Sequence, residues 1–131
     1  MFENIMVPSD GSDHSNKAVD TAIEIAKKFN SKVTAIYVLD ENTSFSYDTL
    51  EDEGNEILKK ISTKCKKEGV MLIEHLITAD PLRDMKIIAQ KTQVDSIVIS
   101  SLGKNNSKDA VIGSIADRII KTFEIPIVLV K

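Results

Sequence analysis

Short runs of apolar, often β-branched residues alternate along this chain with longer segments whose apolar positions recur every three or four residues. A strand period handing over repeatedly to a helix period predicts an α/β chain. The first apolar run, residues 4–7, stops at Pro8 and leads into a polar loop of Ser9, Asp10, Gly11 and Ser12. From about 13 to 29 the stripe Ala18, Ala22, Ile25 and Phe29, widened by Val19, Ile23 and Ala26, predicts a helix with one buried face. Asn30 suits the end of that helix, because asparagine tolerates left-handed backbone. Residues 32–39 are nearly all apolar instead of alternating, as expected of a strand covered on both faces in a parallel sheet.

The composition turns acidic and polar over 40–56, which predicts a surface loop there. The next helix, ending at Lys67, carries Leu50, Ile57, Leu58, Ile61 and Cys65 at roughly helical spacing. Lys64, Lys66 and Lys67 suit its C-terminus, and Gly69 the position beyond. Residues 70–78 read as a third strand, and Asp80-Pro81 as an N-cap followed by proline at the first position of a helix. That helix runs through Met85, Ile88 and Ala89 to about Thr92. A fourth strand, 96–99, leads to a polar loop over 100–109, and a helix opening near Gly113-Ser114 places Ile115, Ile119 and Phe123 on one face. Pro126 introduces a fifth strand, 127–130. Five strands and four helices in strict alternation predict a single doubly wound domain over 1–131, Rossmann-like, with right-handed crossovers. Its ligand site should lie beyond the carboxyl ends of the strands where strand order reverses, which directs attention to the loops after strands one and four.

A length of 131 residues suits one core. The net charge of −3 gives no basic surplus to draw the chain to nucleic acid or anionic lipid. Cys65 is the only cysteine, so an internal disulfide and a dithiol redox pair are both excluded, and a reducing cytoplasm fits. No apolar run approaches the roughly 20 residues of a membrane span, and the N-terminus lacks a basic stretch leading into an apolar one, so neither export nor membrane insertion is expected.

The chemistry concentrates in the two switch-point loops. In the first, Asp10 can accept hydrogen bonds from a ribose or a base edge, with Gly11 and two hydroxyls beside it. The structural reading of the same residues is that Ser12 or Asp13 caps the helix and Asp10 closes a turn. In the second, Ser100-Ser101-Leu102-Gly103 is followed after nine residues by Gly113-Ser114-Ile115 at a helix start. Helix N-termini bind phosphate through unpaired N–H groups and the helix dipole, glycines permit close approach, and Lys104 can add a point charge. Here too a structural reading stands, with Ser114 as a cap and the glycines serving loop geometry.

Taken together, these residues resemble the nucleotide-binding branch of the universal stress protein family over essentially the whole chain. That branch carries Gly-x2-Gly-x9-Gly-Ser/Thr after its fourth strand, and Gly103, the nine-residue spacing, Gly113 and Ser114 match it. Ser100 stands where the pattern has glycine. If that glycine is needed for close approach or positive φ, serine weakens binding; if not, its hydroxyl adds a hydrogen bond. The resemblance implies nucleoside contacts at Pro8, Ser9 and Asp10, adenine contacts near Val38 and Ile99, and phosphates over Gly103, Gly113, Ser114 and Ile115, with Ser100 beside the phosphates or the ribose. It implies strand order 3-2-1-4-5, the adenine-nucleotide alpha-hydrolase-like arrangement. It also implies ATP, with Mg or Mn as counter-cation, and a homodimer paired through the C-terminal strand over 125–131, from Ile125 to Lys131. An apolar edge strand paired about a twofold axis would be shielded from aggregation. No general base or water-positioning residue is recognisable, so at most slow ATP hydrolysis is expected. The rival reading is a dimeric scaffold of the same fold that binds no nucleotide. A third, nucleotide-dependent catalysis on a small molecule, lacks any residue that names a substrate.

Other candidates read as structural. His14 is expected to be solvated in the first turn of its helix, and His75 to lie on an edge strand or be partly buried. Cys65 and the four methionines are expected in packing positions. Asp40, Glu41, Glu51, Asp52 and Glu53 lack calcium-loop spacing and read as a solvated acidic loop. The adjacent glycines of an adenylating loop and a Walker A loop are absent. Asp10 and Asp80 invite comparison with a phospho-accepting receiver, but Asp80 precedes proline and reads as a cap.

Overall fold

The computed structural model describes residues 1–104 and 111–131. Among them β1 (Asn4–Pro8), α1 (Asp13–Phe29), β2 (Lys32–Asp40), α2 (Tyr47–Glu68), β3 (Met71–Ala79), α3 (Met85–Lys91), β4 (Ser96–Ser100), α4 (Ser114–Thr122) and β5 (Ile127–Val130) follow in that order. The strands form one parallel sheet in the order β3-β2-β1-β4-β5, a doubly wound α/β arrangement. The reversal falls between β1 and β4. Their ladder is short, pairing Ile5 with Ser96 and Met6 with Ile97, and beyond it each strand leads into its own loop.

The apolar runs are explained by helices on both faces. Ile5, Val7, Val33, Ala35 and Val98 pack with Ala18, Ala22 and Ala26 of α1 and with Leu58, Ile61 and Cys65 of α2. The alternate residues Met6, Ile36, Ile97 and Ile99 pack with Met85 and Ile88 of α3 and Ala116 and Ile119 of α4. Cys65 is buried as expected, and burial, with the Glu74 charge second, pushes its thiol above its ordinary pKa. Asn30 and Gly69 both take left-handed backbone at φ 54° and 72°, ending α1 and α2 where the sequence placed those ends. Among the described residues no helix is long and apolar enough to cross a membrane.

Several expectations are corrected. The stretch over 40–56 is helical from Tyr47, because the Ser46 hydroxyl accepts the Thr49 N–H at 3.3 Å and the acidic residues that suggested a loop suit the positive end of a helix dipole. Asp80 caps a separate single turn, not α3. Its carboxylate accepts the N–H groups of Leu82 and Arg83 at 2.9 and 3.2 Å, and Asp84 closes that turn by accepting the Asp80 N–H at 2.9 Å. The helix itself starts only at Met85. Phe29 is 60% exposed, since Ala26 is the last α1 residue buried against the sheet; its ring lies beside Phe2, centroids 5.4 Å apart. In α4 the buried positions are Ala116 and Ile119, while Ile115 is 40% exposed. The loop expected from Ser100 instead leaves Ser100 in β4, and its portion over 105–109 lies outside the described residues.

Candidate functional site

The loop after β1 is built by local hydrogen bonding. Pro8 ends the strand, and the Ser9 N–H donates to the Ile36 carbonyl at 2.9 Å. Gly11 has φ +81°, a value that disfavours a side chain, and a Cβ there would fall 2.6 Å from Ile57 Cδ1. The Ser12 hydroxyl accepts the Ser15 N–H at 3.1 Å and caps α1, so the capping reading of Ser12 is correct. The Ser15 hydroxyl donates to the Ser12 carbonyl at 3.0 Å and lies 3.1 Å from that of Ser9.

Asp10 does two things at once. One carboxylate oxygen accepts the Ser12 N–H at 2.9 Å, the expected turn closure, and the other accepts the Lys104 N–H at 2.8 Å. Burial pulls the Asp10 pKa upward, but hydrogen bonds from Ser12, Lys104 and Ser15 outweigh it and hold the carboxyl below its ordinary value.

The loop after β4 is anchored at its start. Ser101 donates its N–H to the Val130 carbonyl at 2.8 Å, and its own carbonyl accepts the Gly113 N–H at 2.6 Å. Gly113 is the N-cap of α4 at φ −77°, without a side-chain cap. Ser114 is therefore the first helical residue and not the cap. Its amide and those of Ile115 and Ala116 open the helix, ahead of the first repeating bond from Asp117 N–H to the Gly113 carbonyl.

These two loops border one cleft of about 450 Å³, within the range of small-molecule sites. The structure brings all ten residues singled out from sequence to its walls. Pro8, Ser9 and Asp10 come from the first loop, and Val38 from the end of β2. Ile99 and Ser100 come from the end of β4, with Gly103, Gly113, Ser114 and Ile115 from the second loop and α4. Ile115, which the helical spacing puts on one face with Ile119 and Phe123, is 40% exposed and lines this cleft. His14 is half-buried and stands outside the lining residues, and His75 is half-buried on the edge strand β3.

Sequence reasoning missed the opposite wall. The Tyr37 hydroxyl donates to Glu53 at 3.4 Å, and Glu53 pairs with Lys104 Nζ at 2.5 Å. Burial first, then the charges of Glu53 and Asp10, pushes the Tyr37 pKa up to about 12. The following residue, Gly54, lets α2 approach the sheet, since a Cβ there would lie 2.5 Å from both Tyr37 and Leu76. Gly54 falls within 40–56, the stretch expected to be a loop, so the sequence carried no signal for this close approach. Phe45, Leu82 and Thr43 complete the rim. Their segments are fastened together by Arg83 to Glu41 at 2.9 Å and Asn42 to Asp80 at 3.1 Å. Among the described residues no group of three or more His, Cys, Asp and Glu side chains is arranged to hold a metal ion.

Comparison with known proteins agrees with this architecture. The family model described as "Universal stress protein family" matches residues 1–131. Universal stress protein MJ0531 of Methanocaldococcus jannaschii is 33% identical, the alignment covering 100% of this chain and 83% of the relative. Among solved structures, universal stress protein UspA from Lactobacillus plantarum superposes with a TM-score of 0.86 at 20% identity, covering 99% of this chain and 98% of that one. The universal stress protein from Archaeoglobus fulgidus in complex with dAMP gives a TM-score of 0.80 at 24% identity, with 100% of both chains covered. At those identities the two structures speak to the fold, while the family match spans the whole sequence. The chain belongs to the universal stress protein family.

Proposed function

We propose that the cleft binds an adenine nucleotide, ATP with Mg or Mn as the counter-cation on its phosphates, and that the protein acts as a nucleotide-responsive regulatory module and not as an efficient catalyst. The observation that carries this reading is the convergence of the Asp10 carboxylate and the N-terminus of α4 on one cleft at the β1/β4 reversal. The Archaeoglobus relative, solved with dAMP, supports the same ligand class.

In this reading Val38 and Ile99 flank the base, and Pro8, Ser9 and Asp10 face the nucleoside. Ser100, Gly103, Gly113, Ser114 and Ile115 surround the phosphates, where the opening amides of α4 offer donors and a positive dipole end. The serine at position 100 is compatible with its backbone: the described residues with positive φ are Phe2, Gly11, Asn30, Gly69 and Gln93, and Ser100 is not one of them. The proposed assembly is a cytoplasmic, single-domain homodimer paired through β5, an edge strand of the sheet with Leu129 37% exposed.

The test is to denature freshly purified protein and chromatograph the released small molecules. Co-purified adenine nucleotide at near one per chain supports the proposal. If none is released and stripped protein gives no heat with ATP and Mg²⁺, the reading fails in favour of a scaffold that binds no nucleotide.

A further inference from the structure

The cleft has unlike sides. Toward β2 and β3 it is lined by four large apolar side chains: Val38 at the end of β2, Phe45 between β2 and α2, Leu50 in the first turn of α2, and Leu82 after β3. The start of α4, with Gly113 and Ser114, lies across the β1/β4 reversal from them. Of the four, Phe45 is the most open, its residue surface 70% exposed.

That exposure does not come from a loose backbone. Glu41 donates its N–H to the Ala79 carbonyl at 3.0 Å, Thr43 donates its own to the Asp40 carbonyl at 3.2 Å, and the Asn42 side chain reaches Asp80 at 3.1 Å. The Phe45 N–H donates to the Thr43 hydroxyl at 3.3 Å, and Ser46, the next residue, caps α2. The ring is thus held at the cleft from both sides. Phe45 precedes the N-cap and Leu50 is the fourth residue of the helix, which are the two positions of a hydrophobic staple. A staple alone would cover the ring against Leu50, yet most of its surface has no cover from the protein.

We propose that Phe45 is a ligand-binding residue of this cleft, its ring stacking on the adenine base. The proposal rests on the reading that the cleft binds an adenine nucleotide, and adds to it a contact made to the face of the base. Val38, proposed to flank the base, stands on the same side of the reversal as Phe45. A nucleobase laid on a fixed aromatic ring removes apolar area of both partners from water and gains from ring–ring geometry. Deleting such a contact should weaken binding by about five- to fiftyfold.

The test is calorimetry of ATP and of ADP, each with Mg²⁺, on wild type, Phe45→Ala and Phe45→Leu, with denaturant midpoints recorded for all three. The chain contains no tryptophan, so Phe45→Trp adds a single indole whose emission reports on this position alone.

The expected result is weaker binding by Phe45→Ala, by the same factor for ATP and ADP because the base is common to both, at an unchanged midpoint. Phe45→Leu, apolar but not aromatic, should also bind more weakly than wild type, and Phe45→Trp should bind ATP with a saturable change in emission. Wild-type affinity in Phe45→Ala or Phe45→Leu, a loss confined to one nucleotide, or a lowered midpoint without loss of affinity each overturns the proposal while leaving the functional reading in place. An indole emission that does not move while calorimetry shows ATP bound does the same. A folded wild type that binds neither nucleotide overturns both together.

Discussion

The Asp10 carboxylate accepts the backbone N–H of Lys104 at 2.8 Å across 94 positions of sequence, joining the loops that leave β1 and β4. Its other oxygen holds the Ser12 N–H beside the start of α1, so one side chain fixes the geometry of both sides of the cleft. Replacing Asp10 by alanine leaves both amides without this acceptor and should cost about 1–3 kcal/mol of stability in urea unfolding. The same variant should weaken nucleotide binding.

The pH dependence of that loss has a definite sign. Asp10 titrates below its ordinary value of 3.8 in the folded chain, so the folded state binds the proton less readily than the unfolded state. Its contribution is complete above the ordinary value and fades as pH falls toward the lower folded one. The stability gap between wild type and Asp10→Ala should therefore narrow on acidification, and a gap that persists unchanged to the acid limit of folding would contradict this assignment.

Tyr37 predicts the converse behaviour in alkali. Its hydroxyl ionises near 10.0 when unfolded and at about 12 in the fold, so stability is intact below the first value and declines as pH rises between the two. The difference in phenolate absorbance between wild type and Tyr37→Phe should show one group titrating at about 12. Titration of that group near 10.0 would argue against burial of the hydroxyl beside Glu53.

Gly54 is placed where helix propensity and packing oppose each other. Alanine favours a helix interior by about 1 kcal/mol over glycine, yet here its methyl would sit 2.5 Å from the Tyr37 ring and from Leu76. Tyr37 is only 7% exposed and has little room to yield. Gly54→Ala should be destabilising by about 1–3 kcal/mol, as measured by denaturant midpoint, and a stabilised variant would show that α2 does not pack as described.

The proposed pairing of β5 strands is tested on the exposed Leu129. Leu129→Lys places like charges close to a twofold axis and should shift sedimentation from dimer to monomer without loss of secondary structure. A wild-type monomer at micromolar concentration would dispose of the pairing.

Much of the fold was readable because its causes are local. The central strands are apolar throughout because helices cover both faces, and Ile5, Met6, Ile97 and Val98 all have 0% exposure. Asn30 and Gly69 mark helix ends by backbone chemistry alone. The two loops could be named because chain order and the switch-point rule place them together. What escaped depends on partners far away in sequence. Glu53 reads as one more acid in a polar stretch until Lys104, 51 positions on, is seen beside it. Tyr37 reads as a core aromatic until its hydroxyl meets that same carboxylate. The start of α2 was hidden because acidic residues signal both a solvated loop and a helix N-terminus, and Phe29 was misplaced because helical periodicity continues past the edge of the sheet that buries it.

The central claim is that an adenine nucleotide binds where the loops after β1 and β4 meet the N-terminus of α4. Titration calorimetry of ATP with Mg²⁺ into stripped wild-type protein and Gly113→Leu, with circular dichroism and sedimentation recorded on both, tests it most directly. The account predicts saturable binding near one site per chain for wild type and its loss in Gly113→Leu with secondary structure and oligomeric state retained. Equal binding by the two proteins, or none by a folded wild type, would contradict it.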